Sequence, residues 1–334
     1  MNDELSSLKS AMLGHAVADA MGVPVEFESR ETLKKDPVTG YRGYGSHSVP
    51  AGTWSDDTSM NLASLDSLSR GLDYGDMLER FCRWKNQAAY TATDEVFDMG
   101  ISTVEALRRF ERGTTPLECG GTGEHDNGNG SLMRIIPAVF YCKYRMTNAA
   151  LPEKLTVIHN ISALTHAHPR SKIACGIYAF VLWALLDTGD KTAIANGLRL
   201  AEAFYRNEPE FQQEFPRYKR TFQMADTLPL EETIRSGGYV VDTLEAALWC
   251  LLTTENYRDC VLKAVNLGRD TDTVAAVAGG LAGVLYGAED IPEEWLDGLI
   301  RREAIEKLCK QFAESKASQT KRTLPHPVWS DYFH

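Results

Sequence analysis

Residues 274–285 read Val-Ala-Ala-Val-Ala-Gly-Gly-Leu-Ala-Gly-Val-Leu, a helical apolar pattern written mostly in alanine and glycine. Each glycine inside a helix weakens it by about 1 kcal/mol relative to alanine. Such a helix survives only where neighbours pack against it closely, so the run predicts a helix at the centre of the core. The rest of the chain keeps the same period. Leu5, Leu8, Met12 and Ala16 recur every three to four residues, and so do the apolar positions of 59–72, 172–186, 192–205 and 244–252. No alternating strand series and no Asn-Gly hairpin flanked by apolar alternation is present. The expected fold class is all-α.

Two long stretches lack this period. Residues 29–53 carry Pro37, Gly40, Gly43, Gly45, Pro50 and Gly52, and residues 113–130 are rich in glycine. Structureless connections of that length inside a compact domain are often functional. No low-complexity linker or internal repeat divides the 334 residues, and the expectation is one domain over 1–334. Its motif-bearing core spans about 8–312. The tail 313–334 ends in Pro325, Pro327, Trp329, Tyr332 and Phe333, either a surface clasp or a disordered end.

Composition limits the function classes. A net charge of −11 argues against a nucleic-acid surface but leaves room for a small anion held by backbone donors. No uninterrupted apolar run approaches the length needed to span a bilayer, and Met1-Asn2-Asp3-Glu4 lacks the basic start of a signal peptide. The seven cysteines (82, 119, 142, 175, 250, 260 and 309) are scattered, with no Cys-x-x-Cys pair. They read as reduced thiols of a cytoplasmic protein and argue against zinc.

Two acidic clusters carry the chemical signal: Ser55-Asp56-Asp57-Thr58 and Asp270-Thr271-Asp272-Thr273, each directly before a helical run. Either alone is an ordinary helix N-cap. Together, if the fold brings them into contact, they supply the hard carboxylate and hydroxyl oxygens that magnesium or manganese takes. Between Gly14 and Phe27 a helix containing Asp19 should end near Gly22-Val23-Pro24. Glu26 then follows in a loop, where most glutamates are simply solvated. Three further segments stand between the clusters: Asp126-Asn127-Gly128-Asn129-Gly130-Ser131-Leu132-Met133-Arg134, Thr165-His166-Ala167-His168-Pro169, and Gly237-Gly238-Tyr239-Val240-Val241-Asp242. Glycines before a helix let backbone amides approach a phosphate. An aromatic face such as Tyr239 can stack on a base or belong to the core.

In this order the segments resemble the ADP-ribosylglycohydrolase family, from Gly14 to about Tyr286. The resemblance implies a single compact orthogonal helical bundle with a dinuclear metal site between loops and helix N-termini. It implies two divalent cations, Mg2+ or Mn2+, held by Ser55, Asp56, Asp57, Asp270, Asp272 and Thr273; Ser55 replaces the usual threonine and keeps the hydroxyl. Glu26, or else Asp126, would transfer protons, while Asn129, Gly130, Ser131, His166 and Tyr239 would bind substrate, with His168 unassigned. The implied reaction removes mono-ADP-ribose from a modified protein side chain and releases ADP-ribose. Asp126 points to an arginine rather than a serine linkage, because a carboxylate pairs with a guanidinium. It serves equally well as a loop brace. A silent ADP-ribose-binding protein of the same fold, a hydrolase of small-molecule conjugates and a metal-dependent phosphohydrolase are the competing readings.

Overall fold

The computed structural model describes residues 4–315, which form fifteen α-helices linked by loops and 3-10 turns. Among these residues there is no β-sheet, only isolated bridges. The first five helices are α1 (Glu4–Gly22), α2 (Arg30–Lys35), α3 (Asp56–Leu68), α4 (Tyr74–Gln87) and α5 (Ile101–Glu111). Next come α6 (Ile136–Tyr144), α7 (Leu151–Ala163), α8 (Pro169–Thr188), α9 (Thr192–Arg206) and α10 (Lys219–Gln223). The last five are α11 (Val240–Leu252), α12 (Tyr257–Val265), α13 (Thr271–Tyr286), α14 (Glu293–Gly298) and α15 (Arg302–Glu314). The chain is all-α, as its periodicity predicts. Several helices begin about a turn before their apolar spacing becomes visible, because polar caps and first-turn residues open them. One expectation needs correction. The stretch 29–53 is not structureless: Ser29 Oγ accepts from Thr32 N at 3.1 Å and so caps α2, and a 3-10 turn covers Gly45–His47. By length and composition α8 is apolar enough to cross a bilayer, but it lies against α7 and α9 with most of its span buried. The aromatic tail falls outside the described residues.

Buried apolar side chains form one cluster running from Leu8 to Phe312. At its centre α1 and α13 lie antiparallel, their backbones closer than any side chain would permit. A Cβ on Gly14 would stand 2.5 Å from the carbonyl oxygen of Gly279, and one on Gly283 would stand 2.1 Å from that of Ser10. At the other end of the pair, a Cβ on Gly22 would meet Asp272 N at 2.4 Å. Thr271 Oγ1 closes that end by donating to Gly22 O at 2.8 Å, and Tyr257 OH of α12 donates to Gly14 O at 2.6 Å. The Ala/Gly run is thus a surface shaped for another backbone.

One more contact of α1 decides where the site can be. The Asp19 carboxylate is fully buried. It accepts from Ser55 N at 3.0 Å, from Thr58 N at 3.0 Å and from Thr58 Oγ1 at 2.6 Å. These are orphan donors of the first turn of α3, the groups a helix cannot satisfy by itself. The C-terminal half of α1 therefore holds the N-termini of α3 and α13 at the same end of the molecule.

The close contact makes a testable demand. Helix propensity alone favours Gly279→Ala by about 1 kcal/mol. The added methyl would instead stand 2.4 Å from Gly14 O and 2.5 Å from Ala18 Cβ, and overpacking of this kind destabilises by roughly 1–3 kcal/mol. Urea unfolding should show a lower midpoint with an unchanged slope. A more stable variant would contradict the packing described here.

Candidate active site

The two acidic clusters meet. Ser55 is the N-cap of α3: its Oγ accepts from Asp57 N at 3.2 Å and donates to Asp57 Oδ2 at 3.1 Å. The same Asp57 oxygen accepts from Thr273 Oγ1 of α13 at 3.2 Å, although 216 residues separate the two. Asp270 occupies the N-cap position of α13 but makes no side-chain cap bond, so capping does not account for that carboxylate. Its Oδ2 accepts instead from Asn129 Nδ2 at 2.7 Å. Ligand oxygens of Asp19, Asp57 and Asp272 lie within 4.8 Å of one another, as do those of Glu26, Asp270 and Asp272. Asp272 belongs to both groups, while Asp56 is buried beside them.

The residues fit a divalent cation. Oδ1 of Asp57 and Oδ2 of Asp272 are buried without a hydrogen-bond partner. Among the described residues, the side-chain ion pair reaching this group is that of His47 with Glu26, and no lysine or arginine joins it. Burial, followed by the neighbouring carboxylates, pushes the carboxyls of Asp56, Asp57 and Asp272 well above the usual range. Buried like charges of this kind demand either protons or a cation. The oxygen-only donor set suits a hard ion.

Glu26 is not the solvated glutamate that its loop position suggests. It is buried just after a 3-10 turn, Val23–Val25, and its Oε2 pairs with His47 Nε2. Main-chain bonds fix its height: Ser46 Oγ donates to Glu26 O at 2.6 Å, and Phe27 N donates to Arg269 O at 2.6 Å. Arg269 N answers by donating to Glu28 O at 2.7 Å. Phe27 and Arg269 both take left-handed backbone angles, φ 70° and 72°, uncommon for such side chains. Burial raises the Glu26 carboxyl to about 7 against the opposing bond from His47, and that bond in turn raises His47.

Asp98 completes this edge. It groups with Glu26 and His47 and lies against Glu26 and Asp272, its carboxyl raised mainly by burial. Neither His47 nor Asp98 is singled out by the sequence. Asp98 arrives on a loop whose residues Ala88, Tyr90, Asp94 and Asp98 all have positive φ, and that path has no local sequence signature.

The glycine-rich segment lies next to the carboxylates. Asn129 N donates to Gly238 O at 3.1 Å and Val240 N donates to Asn127 O at 3.0 Å, which joins this segment to the one carrying Tyr239. The Asn129 amide also donates to Thr243 Oγ1 at 3.0 Å. Gly130 faces His166: a Cβ there would stand 2.8 Å from the ring's Cε1. Ser131 points its side chain into the core, where Oγ lies 2.9 Å from Ser162 Oγ, leaving only its backbone for a ligand. The helix after this segment starts at Ile136, later than expected. Leu132 N and Met133 N already donate to Asn129 O, so those two amides are not free phosphate donors. Asp126 Oδ2 accepts from Gly123 N at 2.8 Å, the loop-brace arrangement. His166 is buried and held neutral, its pKa lowered to about 3 by burial and then by Arg134. Tyr239 is half-buried at the start of α11, with the Arg170 guanidinium 5.6 Å from its ring centroid. His168 is the N-cap of α8, its Nδ1 accepting from Arg170 N at 3.2 Å.

Comparison with known proteins agrees with this arrangement. A family profile described as ADP-ribosylglycohydrolase matches residues 1–322. The ADP-ribosylarginine hydrolase Tri1 of Serratia proteamaculans (strain 568) is 32% identical over 317 residues, covering 93% of this chain and 80% of that protein. The ADP-ribosyl-[dinitrogen reductase] glycohydrolase of Rhodospirillum rubrum is 31% identical over 303 residues, covering 86% and 88%. A solved structure titled ADP-ribosylglycohydrolase-related protein complex superposes with a TM-score of 0.77 at 31% identity, covering 94% of this chain and 99% of that one. With the profile spanning nearly every residue and the acidic clusters joined at one end of a shared fold, the chain belongs to the ADP-ribosylglycohydrolase family.

Proposed function

We propose that this ADP-ribosylglycohydrolase is a metal-dependent enzyme that removes mono-ADP-ribose from modified arginine side chains of proteins and releases ADP-ribose. The observation that carries the reading is the convergence of Asp57, Asp272 and Glu26, buried and short of cationic partners, beside the segment holding Asn129, Gly130 and His166. Ser55, Asp56, Asp57, Asp270, Asp272 and Thr273 would hold two divalent cations, magnesium or manganese. Such ions, when bound, orient ribose hydroxyls and make water a better nucleophile near neutral pH.

The chain's own residues do the rest. Breaking the bond at C1 of the distal ribose builds positive charge on the sugar, and carboxylates fixed nearby stabilise that charge without reorganising. Glu26 moves the proton. Burial pushes its carboxyl up to about 7, toward the range that suits acid–base catalysis, and its bond to His47 fixes its orientation. The diphosphate is bound beside Asn129, the Gly130 and Ser131 backbone and His166, and adenine stacks on the free face of Tyr239. The name of the Serratia relative, an ADP-ribosylarginine hydrolase, supports the arginine linkage. The Asp126 carboxylate supports it as well, since only Oδ2 braces the loop while Oδ1 has no closer partner than Ser102 Oγ at 3.5 Å. All seven cysteines are free thiols, which supports a reducing compartment such as the cytoplasm.

Three outcomes test this reading. Manganese or magnesium at one hundred times its Kd should stabilise the protein by about 2.7 kcal/mol per occupied site in thermal melts. Asp57→Ala and Asp270→Ala should stay folded while losing both that shift and turnover. Full activity after exhaustive metal removal would exclude metal dependence.

Glu26→Gln preserves shape and removes the titrating proton. Single-turnover hydrolysis should slow by about 100- to 10,000-fold, with ADP-ribose affinity little changed. Near-normal turnover would move the proton transfer to another group.

Arginine-linked substrate should be cleaved faster than serine-linked substrate. Asp126→Asn retains an oxygen for Gly123 N, so it isolates the charge. The variant should lose arginine activity selectively, and unchanged arginine activity would leave Asp126 as a loop brace alone.

A further inference from the structure

A buried line of polar groups reaches His166 from below. Arg134 is fully buried, its guanidinium 4.7 Å from the centroid of the Phe81 ring. Its Nη2 donates to Ile161 O at 3.1 Å and to Thr165 Oγ1 at 2.8 Å, while Nε and Nη1 have no hydrogen-bond partner. Thr165 is also fully buried, and its hydroxyl meets His166 Nδ1 at 2.8 Å. Arg134 and His166 are the two polar partners of that hydroxyl.

Donor and acceptor roles then follow by elimination. A guanidinium has only donors, so Thr165 Oγ1 accepts from Arg134. The oxygen could accept a second time, but a donating Nδ1 would leave the buried hydroxyl hydrogen without an acceptor, which is costly, so His166 Nδ1 accepts it. A neutral imidazole whose Nδ1 accepts carries its proton on Nε2. We propose that Arg134 and Thr165 are positioning residues that lock His166 in the neutral Nε2–H tautomer, presenting a hydrogen-bond donor to the Gly128–Gly130 segment.

The functional value of the lock rests on the reading that the ADP-ribose diphosphate binds at that segment. The opposite tautomer would turn a lone pair toward the phosphate oxygens and repel them. The ring also has no freedom to escape by rotating. A Cβ at Gly130 would stand 2.8 Å from Cε1 and one at Gly128 would stand 3.6 Å from Nε2, so the two glycines wrap the donor edge. His166 O accepts from Ser162 Oγ at 3.0 Å and His166 N donates to Ser162 O at 2.8 Å, which holds the backbone in place. Burial agrees, since it lowers the His166 pKa to about 3 and keeps the ring uncharged.

The test uses the full chain and two readouts. Long-range 1H–15N correlation spectra of the ligand-free protein should show His166 with a bare Nδ1 and a protonated Nε2. Thr165→Val removes the hydroxyl while keeping the shape. It should populate the other tautomer and weaken ADP-ribose binding about tenfold, the worth of one hydrogen bond to a charged group, with kcat changed less than KM. Thr165→Ser should restore both spectrum and affinity, which a merely structural role for the methyl would not allow. A protonated Nδ1 in the parent, or an unaltered tautomer in Thr165→Val, overturns the lock. A tautomer switch that leaves ADP-ribose affinity unchanged supports the lock and overturns the placement of the diphosphate instead.

Discussion

The structure depends on one contact, the backbone-to-backbone approach of α1 and α13. Glycines at 14, 22, 279 and 283 remove the side chains that would separate the two helices. Close approach maximises dispersion contact at the cost of helix propensity, a trade that favours the folded state only when the pair is surrounded by other elements. Both helices are buried nearly throughout. Because the pair is antiparallel, the last turn of α1 lies beside the first turn of α13. Asp19, three residues before Gly22, then gathers the first turn of α3 into the same place.

That geometry explains how buried carboxylates are tolerated. Asp56 and Asp57 lie in the first turn of α3, and Asp270 and Asp272 at the start of α13. Helix N-termini carry partial positive charge and favour anions. Two such termini facing each other partly offset the desolvation of several acids, and a divalent cation held there would offset more of it. The repulsion that remains without a cation is a local instability placed at the functional site, while the apolar cluster from Leu8 to Phe312 supplies stability elsewhere.

Much of this was legible in the sequence. The Ala/Gly run announces a central helix because no other environment would keep it folded. The clusters at 55–58 and 270–273 announce metal-type oxygens because each places more carboxylates than a cap needs. What was not legible depends on paths through space. The burial of Glu26 follows from a loop crossing over it, and its pairing with His47 from the 3-10 turn of that loop. Asp98 enters on a left-handed segment without glycine, which no turn rule flags. Ser131 was read by its motif, but the tight turn closed by the Asn129 carbonyl rotates its hydroxyl into the core. A motif fixes residue types, and which atom of each residue faces a ligand is settled only by packing.

The short main-chain ladder beside Glu26 has a wider meaning. Phe27 and Glu28 are joined to Arg269 through backbone atoms alone, while the Phe27 side chain stands 65% exposed and Arg269 is exposed as well. The next residue inward on each segment is an acid of the carboxylate group, Glu26 on one and Asp270 on the other. The coupling between these acids is therefore carried by peptide groups, which every amino acid but proline provides. The side chains at the rim therefore do not set the spacing of these acids, although the left-handed angles at Phe27 and Arg269 narrow which residues fit there. The fold thus separates the surface it shows at this edge from the spacing of the carboxylates behind it.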